Sequence, residues 1–76
     1  MEEIKIEGMP VLSGEIGLEP KEHPIWLYKA YDPKTNRYLN VIVDTPERPN
    51  PETEEMIYTR IAIAFKRAEN ESTITI

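Results

Sequence analysis

The chain has 76 residues, 39% of them hydrophobic and 30% charged, with no cysteine and a formal charge of -5. That length fits one small domain, 1–76, and the composition is globular rather than disordered. The missing cysteine excludes disulfide frameworks and thiolate metal sites, and the acidic balance works against nucleic acid and anionic membrane at long range. The apolar runs are too short for a transmembrane span. Met1 is followed by Glu2 and Glu3, the wrong charge for a targeting segment. A cytoplasmic protein without membrane contact is therefore expected. Twelve Glu beside no Gln is a thermophile-like bias. The acid is uneven: residues 1–22 carry six Glu and two Lys, and residues 46–76 carry six Glu and four basic residues. Between them, residues 23–45 carry Asp32 and Asp44 against Lys29, Lys34 and Arg37.

In chain order, Glu3 to Glu7 alternates polar and apolar residues, the period of a half-buried strand. Gly8 and Pro10 read as interruptions, with a short resumption from Met9 to Leu12. Gly14, Gly17 and Pro20 argue for bends or bulges rather than a helix. Lys21 to Pro24 reads as a loop.

The strongest local pattern is a hairpin from Ile25 to Asp44. Two β-rich runs, Ile25–Tyr31 and Tyr38–Val43, flank Asp32-Pro33-Lys34-Thr35-Asn36-Arg37. Pro33 pre-sets the first turn torsion, Asp32 accepts from backbone two residues on, and Asn36 tolerates the left-handed conformation. A loop of Pro33 to Asn36 pairs Tyr31 with Tyr38, Lys29 with Asn40, Leu27 with Ile42 and Trp26 with Val43. One face then carries Trp26, Tyr28, Ala30, Leu39, Val41 and Val43. The other mixes Leu27, Lys29, Tyr31, Tyr38, Asn40 and Ile42. A slip of one residue would scramble both sets.

Residues 45–51 hold Pro46, Pro49 and Pro51, a stiff connector. Two readings compete beyond it. A helix over 51–69 has Asn50 as cap, Pro51 in the first turn and a stripe of Ile57, Ile61, Ala64, Phe65 and Ala68. It leaves Met56 and Ile63 off the stripe. A strand over 57–65 alternates well and suits the β-branched residues. The strand is preferred, preceded by one helical turn at 51–55. Lys66 to Ser72 then reads as a polar turn and Thr73 to Ile76 as a terminal edge strand able to pair across a dimer. The expected fold is mostly β, an antiparallel sheet or partly closed barrel around the central hairpin. The alternative is α+β with one C-terminal helix at 51–69.

Catalytic chemistry finds little support. His23 is the single histidine and lies between Pro20 and Pro24, so no helical metal motif forms around it. Ser13 and Ser72 lack an elbow, and the glycine spacing fits no phosphate loop. The Glu52, Glu54, Glu55 run suits a solvated helix start. No enzyme activity, metal or cofactor is expected. The mixed hairpin face is different. Leu27, Lys29, Tyr31, Tyr38, Asn40 and Ile42, with Lys34 and Arg37 near the tip, combine aromatic, apolar and basic groups. Tyr and Arg are enriched in interface centres. That face needs cover either from residues 57–65 or from another chain. The expected function is a small acidic protein–protein interaction or regulatory module, self-associating or part of a hetero-complex. The second reading is single-stranded nucleic-acid binding by stacking on Tyr31 and Tyr38 beside the same basic residues.

Overall fold

The computed structural model describes residues 3–76. Strands β1 (Lys5–Val11), β2 (Ile25–Asp32), β3 (Arg37–Val43) and β4 (Thr73–Thr75) form one mixed sheet in the order β1-β2-β3-β4. Helix α1 (Pro51–Lys66) joins β3 to β4, which runs parallel to β3. A parallel pair needs such a crossover, because no tight turn returns a chain in the same direction. The architecture is a small α+β sheet-and-helix fold, not a closed barrel. The strand expected over 57–65 is a helix.

The helix begins where its chemistry dictates. Asn50 Oδ1 accepts from the Thr53 amide at 2.8 Å, Pro51 occupies the first turn, and Glu52 and Glu54 face the positive end of the dipole. Ile57, Ile61 and Ala64 are buried on the sheet, with Phe65 half-buried beside them. They cover the hairpin face of Tyr28, Ala30, Leu39, Val41 and Val43, to which Ile74 of β4 adds. Each fully buried Ile, Leu or Val among them contributes roughly 1.5–3 kcal/mol. A strand at 57–65 would have left that face bare; local alternation alone could not register this demand. Ala68, expected on the stripe, is exposed instead. It takes φ 53° just past the helix, and its amide bonds to the Phe65 carbonyl at 3.2 Å.

The hairpin register is the one its turn chemistry implies, from Trp26 opposite Val43 to Asp32 opposite Arg37. Gly8 and Pro10 do not interrupt β1, which pairs continuously with β2. Gly8 sits opposite Tyr28, and a Cβ there would lie 2.6 Å from the tyrosine ring. The glycine is the gap through which Tyr28 lies. Pro10 is tolerated because β1 is an edge strand.

Tyr28 is fully buried and donates its hydroxyl to Glu54 Oε2 at 2.8 Å. Arg48 from the proline-rich connector reaches the same oxygen at 3.3 Å, while its guanidinium also lies over the Trp26 ring. One carboxylate thus ties helix, connector and sheet. Burial, reinforced by the Glu54 carboxylate, pushes the Tyr28 phenol well above its ordinary value. The hydrogen bond from Tyr28, aided by Arg48, holds Glu54 below the usual carboxylate range.

Candidate functional site

The open face of the sheet, opposite α1, divides into two halves. At one end Ile25, Leu27 and Ile42 form a second apolar cluster with Met9, Val11 and Ile16. Leu27 is 5% and Ile42 6% exposed. Neither is available to a partner, so both leave the set of interaction residues expected from the sequence. Their cover is neither residues 57–65 nor another chain. It is the segment between β1 and β2, folded back over the sheet.

That segment is built around Ser13, which is buried. Its hydroxyl donates to the Glu19 carbonyl at 2.9 Å and accepts from the Lys21 amide at 3.1 Å. The 3-10 turn Ser13–Ile16 ends at Gly17, whose φ of 81° is left-handed and suits a residue without Cβ. The turn delivers Ile16 to the cluster. Lys21 closes the segment by pairing with Asp44 at the end of the hairpin. The hydrogen bond from Lys21, with its charge, holds the Asp44 carboxyl below its ordinary value, and His23 adds a smaller pull in the same direction.

The other half is bare. Tyr31 and Tyr38 stack with ring centroids 4.6 Å apart and planes tilted by 36°. Tyr38 is 67% exposed. Tyr31 donates its hydroxyl to Asn36 Oδ1 at 3.0 Å. Asn36 takes the left-handed conformation, φ 56°, that its turn position requires. Asp32 caps the same loop, accepting from the Lys34 amide and the Thr35 hydroxyl, each at 3.0 Å. The tyrosine pair is therefore held by an ordered turn.

Lys29 is exposed, opposite Asn40 on one side and Glu7 on the other, and Lys5 sits opposite Tyr31. Lys5, Glu7, Lys29, Tyr31 and Tyr38 line a shallow depression of about 220 Å³. Among the described residues, no carboxylate forms an ion pair with Lys5, Lys29 or Lys34.

Of the residues singled out by sequence, the structure gathers Lys29, Tyr31, Tyr38 and Asn40, with Lys34 exposed at the tip. Arg37 is engaged elsewhere. Its guanidinium lies over the Phe65 ring and donates to the Glu69 carbonyl, so it secures the end of the helix. Lys5 and Glu7 are the additions. Their shared face was readable in the alternation of Glu3 to Glu7; their place beside Tyr31 and Lys29 needed the β1–β2 register.

The bare half offers phenol hydroxyls, ammonium groups, an amide and one exposed aromatic ring. Among the described residues, no group of three side chains converges as metal ligands, and no helix is long and apolar enough to cross a membrane. Comparison with known proteins found no matching family model, no matching curated protein and no matching solved structure.

Proposed function

We propose that this chain is a small protein-interaction module whose bare sheet half, centred on Tyr38, docks an acidic protein segment bearing an apolar or aromatic residue. The observation that carries the reading is the exposed Tyr38 ring, stacked on Tyr31 and flanked by Lys5 and Lys29 in the same depression. Aromatic anchors on a rigid base lose little conformational freedom on binding, so they serve as interface hot spots. The lysines supply charge matching to carboxylates, while Asn40 and the two phenols supply hydrogen bonds.

Single-stranded nucleic acid is the competing occupant, because an exposed ring beside unpaired lysines also suits base stacking. One feature weighs against it: Tyr31 already occupies one face of Tyr38. The chain's charge of -5 opposes both occupants, and more so a strand with a phosphate at every nucleotide. The repulsion of distant charge offsets local attraction, so binding of an acidic peptide should depend only weakly on salt.

The test is a nitrogen–proton correlation titration with an Asp/Glu-rich peptide containing one Phe, and in parallel with oligo-dT. Shifts confined to Lys5, Lys29, Tyr31, Tyr38 and Asn40 are expected with the peptide. Tyr31→Ala with Tyr38→Ala should weaken that binding about tenfold or more. Absent or scattered shifts would overturn the reading. Tight oligo-dT binding that falls steeply with salt would replace it with the nucleic-acid one.

A further inference from the structure

The outer face of α1 carries a second unpartnered surface. Met56 is 72% exposed and Ile63 37% exposed. They lie seven residues apart, so they share one side of the helix, with Thr59 between them. These three, with Glu52, Glu55 and Arg60, line a shallow groove of about 530 Å³. Thr59 has already satisfied its hydroxyl on the Glu55 carbonyl at 2.9 Å, so covering it strands no donor. Arg60 is held by both oxygens of Glu69, at 3.2 and 3.3 Å.

The charges left over along this face are arranged by end. Glu52 and Glu55 stand in the first turns, and Lys66 and Arg67 stand at the close, all exposed. Among the described residues none of the four is in an ion pair. A two-fold axis near Thr59 brings Met56 of one copy against Ile63 of the other. It also sets Glu52 against Lys66 and Arg67 at both ends. Opposed helix dipoles favour the same antiparallel arrangement.

We propose that the outer face of α1 is a self-association surface, on which a second copy of this chain packs its own α1 antiparallel through Met56, Thr59 and Ile63. The helix is about 24 Å long at ~1.5 Å per residue. One helix pair of that length makes a small interface, at the weak and transient end of the range, so the dimer should form only at micromolar concentrations or above. The tyrosine patch lies on the opposite side of the sheet. A dimer joined through α1 therefore displays two such patches facing apart, which would strengthen binding to a partner with repeated acidic segments.

Sedimentation equilibrium from about 1 to about 200 μM tests the proposal, that range bracketing an interface of this size. The expected result is a concentration-dependent shift from the 8.8 kDa monomer to twice that mass. Met56→Glu with Ile63→Glu should abolish it while leaving the circular-dichroism melt in place, because both residues are exposed. Glu52→Lys alone should weaken the dimer about threefold, and adding Lys66→Glu with Arg67→Glu should restore it. Restoration identifies antiparallel pairing, since a parallel pair would set residue 52 against itself. A monomer across the whole range would overturn the proposal. So would a dimer that survives the two glutamates, or a triple variant that fails to recover. Tyr31→Ala with Tyr38→Ala should leave the dimer unchanged. Its loss in that variant would assign self-association to the sheet face and overturn the helix proposal, independently of the peptide titration.

Discussion

The two halves of the open sheet face are continuous stretches of the same two strands, yet they meet opposite fates. Leu27 and Ile42 lie under a folded segment of their own chain; Tyr31 and Tyr38, four strand positions further along, lie under nothing. Strand periodicity treats the two pairs alike. What separates them is the reach of residues 12–24, whose Ile16 covers one end of the hairpin and stops short of the other. Side-chain chemistry agrees with that division. The covered half is aliphatic, and the bare half carries lysines, an amide and phenols.

Truncation should expose the contrast most sharply. Leu27→Ala is expected to cost about 2–4 kcal/mol, through lost transfer energy and a cavity under the covering segment. Tyr38→Ala should stay within ~0.5 kcal/mol, as exposed substitutions usually do. Urea unfolding of both variants measures the difference, and equal losses would show that the two halves are not distinct.

Removing the segment's own scaffold should have a smaller effect. Ser13→Ala removes the partner of the part-buried Glu19 carbonyl and Lys21 amide, an expected loss of about 1 kcal/mol. Hydrogen exchange should show lost protection at residues 13–21 and across Leu27 and Ile42, with the tyrosine half unaffected.

Acid should give the smallest effect. Asp44 is held below its ordinary carboxylate value in the folded state, so its pairing with Lys21 contributes stability above that value. The contribution fades as pH falls through the lowered one. Protection of residues 18–23 should therefore drop below about pH 4, within the ordinary carboxylate range. Asp44→Asn should give the same drop at neutral pH. Glu54 follows the same sign, but its loss would loosen the helix and connector rather than this segment. At the alkaline end the raised phenol of Tyr28 reverses the sign. Stability present below the ordinary tyrosine value is lost as pH rises beyond it, and Tyr28→Phe should remove that alkaline loss in a melting series.

The hairpin was legible in the sequence because everything that specifies it is local. Pro33, Asp32 and Asn36 set the turn, and period-two alternation then sets which side chains share a face. The aromatic and basic character of Tyr31, Tyr38 and Lys29 was equally visible. The last third was not decided locally. Ile57 to Phe65 satisfies a helical stripe and a strand alternation alike, and the favoured strand lost to a sheet face that only a helix could cover. The covering segment was hidden for a related reason. Its glycines and prolines announce bends, but the contact of Ile16 with the cluster of Leu27 and Ile42 joins residues distant in sequence. Arg37 looked like part of the basic tip until the fold brought Phe65 and Glu69 to it. Turn chemistry and alternation thus determined the hairpin and its exposed tyrosines. Tertiary structure decided which apolar residues are covered, because coverage depends on which distant segment arrives.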